Sequence, residues 1–83
     1  MSANMEDDPE DYVKNPLWPV LVETVHAMSM YPYHKAYVSE RILPEEPEIT
    51  PRELSVRMGI TFGEALVILH EVREERTKSV REG

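Results

Sequence analysis

The chain has no cysteine and no glutamine, and it holds three glycines, one tryptophan and one phenylalanine in 83 residues. Without cysteine there is no disulfide framework, no thiolate nucleophile and no thiolate zinc site. The scarcity of glycine rules out a phosphate-cradling loop. Gly59, Gly63 and Gly83 fall at a turn, in a first helical turn and at the end of the chain. No apolar run approaches the ~18–20 residues of a membrane span. The opening MSANMEDDPEDY lacks the basic start and apolar stretch of a signal peptide, so the expected location is cytoplasmic. A chain this short forms one domain and buries only about 60% of its unfolded surface, so each packed side chain matters to its stability.

The net charge of −7 is unevenly placed. Residues 1–48 hold three Lys/Arg against ten Asp/Glu, whereas residues 49–83 hold six of each. Non-specific attraction to nucleic acid is therefore weak, because it rests on neutralising phosphates. Five acids stand between Glu6 and Asp11. With so few apolar residues beside them, residues 1–14 read as a disordered acidic tail. A single helical domain over residues 15–79 is expected to follow.

Asn15 and Pro16 suit the N-cap and first position of a helix over residues 15–31. Leu17, Trp18, Val20, Leu21, Val22, Val25, Met28 and Tyr31 then cover about 200° of its wheel, against roughly 100° for a surface helix. That excess predicts burial from two sides or an oligomer contact. Tyr31-Pro32 breaks the pattern. A short helix is expected from about Tyr33 to Leu43, with a strand over Ala36–Leu43 as the alternative. Pro44-Glu45-Glu46-Pro47-Glu48 is a stiff charged linker.

The informative segment is 49–78. Thr50-Pro51-Arg52-Glu53 forms a capping box, and Gly59 supplies the left-handed exit from the helix it opens. Thr61-Phe62-Gly63-Glu64 repeats the box and opens a longer helix to about Lys78. Its expected buried face is Phe62, Ala65, Ile68, Leu69 and Val72. With the helix over 16–30 this makes an all-α, tri-helical helix-turn-helix unit plus one extra short helix. The stretch ITPRELSVRMGITFGEALVILHEVREE, Ile49 to Glu75, resembles the helix-turn-helix of transcription-factor domains and is similar to winged-helix DNA-binding proteins. The tail from Arg76 to Gly83 holds one apolar residue, so no wing is expected. Met58-Gly59-Ile60 followed by Ala65 and Ile68-Leu69 is also similar to the start of a ubiquitin-associated domain. That family continues with a separate apolar helix, whereas His70 to Arg76 here extends the same one.

The resemblance implies a transcriptional regulator or a subunit of a nucleic-acid-handling assembly. On that reading Gly63, Glu64, Val67, His70, Glu71 and Glu74 face the major groove. None is Arg, Lys, Asn or Gln, the side chains that read base edges. DNA contact is therefore expected through phosphates alone, by Arg52, Arg57, Arg73, Arg76 and Lys78, and to be weak and salt-sensitive. The alternative is a protein–protein adaptor on the same scaffold, since fold does not fix function. Its expected interface is Trp18, Val22, Val25, Leu66 and Val67, serving a dimer or another protein. His26, His34 and His70 lack ligand-type spacing, so no enzyme activity, metal, cofactor or small-molecule substrate is expected.

Overall fold

The computed structural model describes residues 9–82, with the side-chain surroundings of residues 11–78. All regular elements among them are helical: α1 (Pro9–Val13), α2 (Trp18–His26), α3 (Tyr31–Tyr37), α4 (Pro51–Met58) and α5 (Phe62–Glu82). A wide π-helical turn over Val38–Ile42 extends α3 without a break.

The start of the expected tail is outside the described residues. The remainder differs from expectation, because Pro9–Val13 forms a helical turn. Tyr12 anchors it by meeting the Phe62 ring edge-on, with centroids 5.7 Å apart. This aromatic contact contributes burial that composition alone did not suggest.

The first predicted helix is split. The Asn15 side chain accepts from the Leu17 N–H at 2.8 Å, but regular helix begins at Trp18. Pro19 then falls in the first turn, where its missing N–H costs little. The helix closes at His26, where the Ala27 N–H is shared between the carbonyls of Glu23 and Thr24, both at 3.2 Å. A turn leads into α3, which opens at Tyr31 with Pro32 again in a first turn. The strand alternative for Ala36–Leu43 is excluded, since that segment continues α3.

The α4–turn–α5 unit forms as its caps predict. Thr50 Oγ1 accepts from the Glu53 N–H and Glu53 Oε1 from the Thr50 N–H, both at 3.1 Å. Gly59 adopts φ 69°, a conformation that other residues rarely take. The Ser55 carbonyl accepts from the N–H groups of Gly59 and Ile60, and the Ser55 hydroxyl donates to the Ile60 carbonyl at 2.8 Å. This clasp fixes the direction in which α5 leaves.

The core centres on α5. Ala65, Leu66, Val67, Ile68 and Leu69 are all buried, as is Val72. Around them lie Val25, Tyr31, Val38, Ile42, Leu43, Ile49 and Leu54, with Trp18, Leu21, Val22, Met58 and Ile60 packed against their edge. A helical stretch that is apolar all round is buried; Ala65–Leu69 is such a stretch, and α5 packs against α4, α2, α3 and the π-helical turn.

Candidate functional site

The helix expected to read DNA does not face solvent at its start. Val67 is 0% exposed and Leu66 2%. The residues that flank Val67 on the wheel explain this one by one. A Cβ on Gly63 would lie 3.0 Å from Leu21 Cδ1 of α2. His70 meets the Trp18 ring edge-on, centroids 5.5 Å apart. Glu64 reaches His34 of α3, and Glu71 reaches both α2 and α3. The α2–α3 hairpin therefore occupies the side of α5 where the groove of DNA would have to lie. The expected exposure of Glu64 and Val67 is corrected accordingly, and of the six groove-facing positions only Glu74 is fully exposed.

The same packing corrects the expected interface. Leu66, Val67 and Val25 are covered within the chain, while Trp18 and Val22 are half-buried. Apart from Val56 on α4, the large apolar side chains exposed among the described residues are Leu17 at the N-cap of α2, Val20 on α2, Met28 and Met30 in the turn, and Tyr33 and Tyr37 on α3. The sequence pointed to this surplus, since the arc of the first helix is too wide for one interface. Part of it is met by α5, and Leu17 and Val20 remain outside.

Glu64 is the one buried charged side chain in the described chain, at 1% exposure. Its backbone N–H donates to Thr61 Oγ1 at 3.0 Å, so the first half of the second capping box is present. Its carboxylate is diverted to His34 Nδ1 at 2.7 Å. A carboxylate only accepts, so His34 carries its proton on Nδ1.

Glu71 organises a larger cluster. It accepts from His26 Nε2 at 2.7 Å and from the Tyr31 hydroxyl, and Lys35 Nζ stands 3.5 Å away. Lys35 also donates to Glu75 at 2.6 Å, with its ammonium 5.9 Å from the centroid of the Tyr31 ring. Charge-assisted bonds of this kind are stronger than neutral ones, and together they hold the hairpin to α5. Beside them opens a cavity of about 530 Å³ between α2, α3 and α5. Trp18, Tyr31 and the imidazoles of His26 and His70 form its ring-bearing walls, and Glu71, Glu74 and Glu75 its acidic side. Among the described residues no group of His, Asp or Glu is arranged to hold a metal ion.

Several of the predicted phosphate contacts are engaged within the chain. Arg57 makes a two-pronged pair with Glu46, at 2.8 and 2.9 Å. That hydrogen bond, reinforced by charge, holds the Glu46 carboxyl below its ordinary range and pushes the guanidinium up. Arg73 is half-buried and donates to the carbonyls of Pro47 and Ile49, at 2.9 and 2.8 Å. Burial pulls its guanidinium below the ordinary value, against the opposing charge of Glu48. It ties the linker to α5 instead of facing outward. Arg76 approaches the Ser39 carbonyl at 3.4 Å. Arg52 lies over the Phe62 ring at 5.6 Å. Lys78 is exposed.

Neither the family models, the curated proteins nor the solved structures gave a match to this chain.

Proposed function

We propose that this chain is a protein–protein interaction adaptor built on a helix-turn-helix-like scaffold, and that it works without reading DNA. The observation that carries this reading is the burial of α5 from Glu64 to Leu69 beneath α2 and α3. A reading helix must bring free side chains to base edges. Here that would require the hairpin to leave and a core to open. Charge supports the same reading. The chain carries −7 overall, and Arg57 and Arg73 are engaged with the linker.

The outer faces of α2 and α3 and the turn between them present tyrosine, methionine, leucine and valine side chains. Tyrosine and methionine are enriched at protein interfaces relative to the rest of protein surfaces. The partner is another protein or a second copy of the chain. The regulator reading retains only phosphate contact through Arg52, Arg76 and Lys78. It predicts a log–log salt slope of roughly −0.9 per contact.

Two measurements separate these readings. Fluorescence anisotropy with a mixed-sequence duplex at low salt is expected to show no binding. Affinity capture from source lysate is expected to recover protein that survives nuclease treatment and is lost when Tyr33 and Tyr37 are both replaced by Ser. Salt-sensitive duplex binding, with capture abolished by nuclease, would replace the adaptor by the regulator.

A further inference from the structure

The cavity between α2, α3 and α5 differs from the apolar outer faces, and its chemistry selects for charge. Its volume of about 530 Å³, open to solvent, leaves room for an incoming side chain. Its lining holds three carboxylates, Glu71, Glu74 and Glu75, against the one ammonium of Lys35. The lining also carries the indole of Trp18 and the phenol ring of Tyr31. Aromatic faces attract cations, and arginine most often fills such positions.

The chain already seats a cation there. The Lys35 ammonium lies 5.9 Å from the centroid of the Tyr31 ring and 2.6 Å from Glu75. Glu74 lines the same cavity, is exposed, and takes no ion pair or hydrogen bond among the described residues. A second cation therefore has an aromatic wall and a free carboxylate to meet, whereas a phosphate or a carboxylate ligand meets surplus negative charge. The long-range field of a chain at −7 steers the same class of partner inward.

We infer that this cavity receives an arginine or lysine side chain from a basic segment of the partner protein. The inference deepens the adaptor reading and rests on it. The incoming cation sits between the Trp18 indole and Glu74, beside the cluster that Glu71 holds together. The apolar outer faces of α2 and α3 then serve the remainder of the partner.

Trp18 is the sole tryptophan, so its indole N–H gives one signal in a nitrogen-15 correlation spectrum. Titration with a hexa-arginine peptide at near-physiological salt is expected to move that signal saturably. A hexa-glutamate peptide is expected to leave it in place. Glu74→Gln removes one exposed charge without disturbing the core, and is expected to weaken the titration about two- to fivefold. Asp7→Asn combined with Asp8→Asn should leave the indole titration as it is, which separates the cavity from general attraction to the acidic N-terminus. An unmoved indole signal, or a Glu74→Gln chain that titrates like the parent, overturns the inference. If nuclease-resistant capture persists in that case, the adaptor reading stands without the cavity. If the capture is nuclease-sensitive and a duplex binds, the adaptor reading itself has failed.

Discussion

Helices α4 and α5 open with the same signature, a threonine followed three residues later by a glutamate, and they end in different environments. In α4 the box closes on itself, and the outer face stays in water, with Val56 78% exposed. In α5 only the threonine half forms. Glu64 leaves its cap to meet His34, and Val67 is wholly buried. The contrast shows what a capping signal carries. It fixes where a helix starts and says nothing of which faces will be covered, because that depends on elements distant in the chain.

The same charge placed on both helices should have very different effects. Val67→Lys should cost about 4 kcal/mol or more, since it buries an unpaired ammonium. Val56→Lys should stay within about 0.5 kcal/mol. Urea denaturation followed by circular dichroism measures both. Equal and small effects would show that α5 has the open face its sequence resemblance implied.

A second pair tests the diverted glutamate. His34→Ala leaves the buried Glu64 carboxylate without its partner and should cost about 1–3 kcal/mol. Glu53→Ala loses only the return bond of an exposed cap and should cost about 0.5–1 kcal/mol. Reversal of that order would mean that Glu64 is solvated and that the hairpin does not cover it.

The arginines extend the comparison to the linker. Arg73→Ala removes two hydrogen bonds to the carbonyls of Pro47 and Ile49, and thermal unfolding should register about 1–3 kcal/mol. Arg57→Ala loses an exposed pair and should shift the same transition far less. The smallest effect is that of pH on the latter pair. The Glu46 carboxyl lies lower in the folded chain than in the unfolded one. Its contribution is therefore present above the ordinary carboxylate value and lost as pH falls through the lower native value. The difference in urea midpoint between the parent and Arg57→Ala should thus be visible at neutral pH and fade in acid.

The α4–turn–α5 unit was legible because its signals are local: two threonine caps, a proline at the first helical position and a glycine at the left-handed exit. The continuous run Ala65-Leu66-Val67-Ile68-Leu69 also held the answer to its own burial. Five successive apolar residues cannot form the single stripe of a surface helix. A wheel divided into one buried face and one open face places Val67 outside. Helix α1 was not legible, because the contact of Tyr12 with Phe62 that helps to hold it lies across the fold. The cluster around Glu71 was equally hidden. His26, Tyr31 and Lys35 lie 36 to 45 residues away from it, and only the packing of the hairpin on α5 brings them together. The doubly apolar first helix was the nearest clue, since its surplus face had to meet something.

The α2–α3 hairpin covers the start of α5. The chain has no cysteine, so a single engineered thiol reports its own accessibility without background. Cysteine is small and apolar enough to replace valine in a core. The rate at which Val67→Cys reacts with a disulfide reagent in the native protein, set against Val56→Cys, is the direct measurement. The Val67 position is expected to react only through opening of the structure, slower by roughly a thousandfold or more. Similar rates at the two positions would contradict it, and would return α5 to the surface as a helix free to bind.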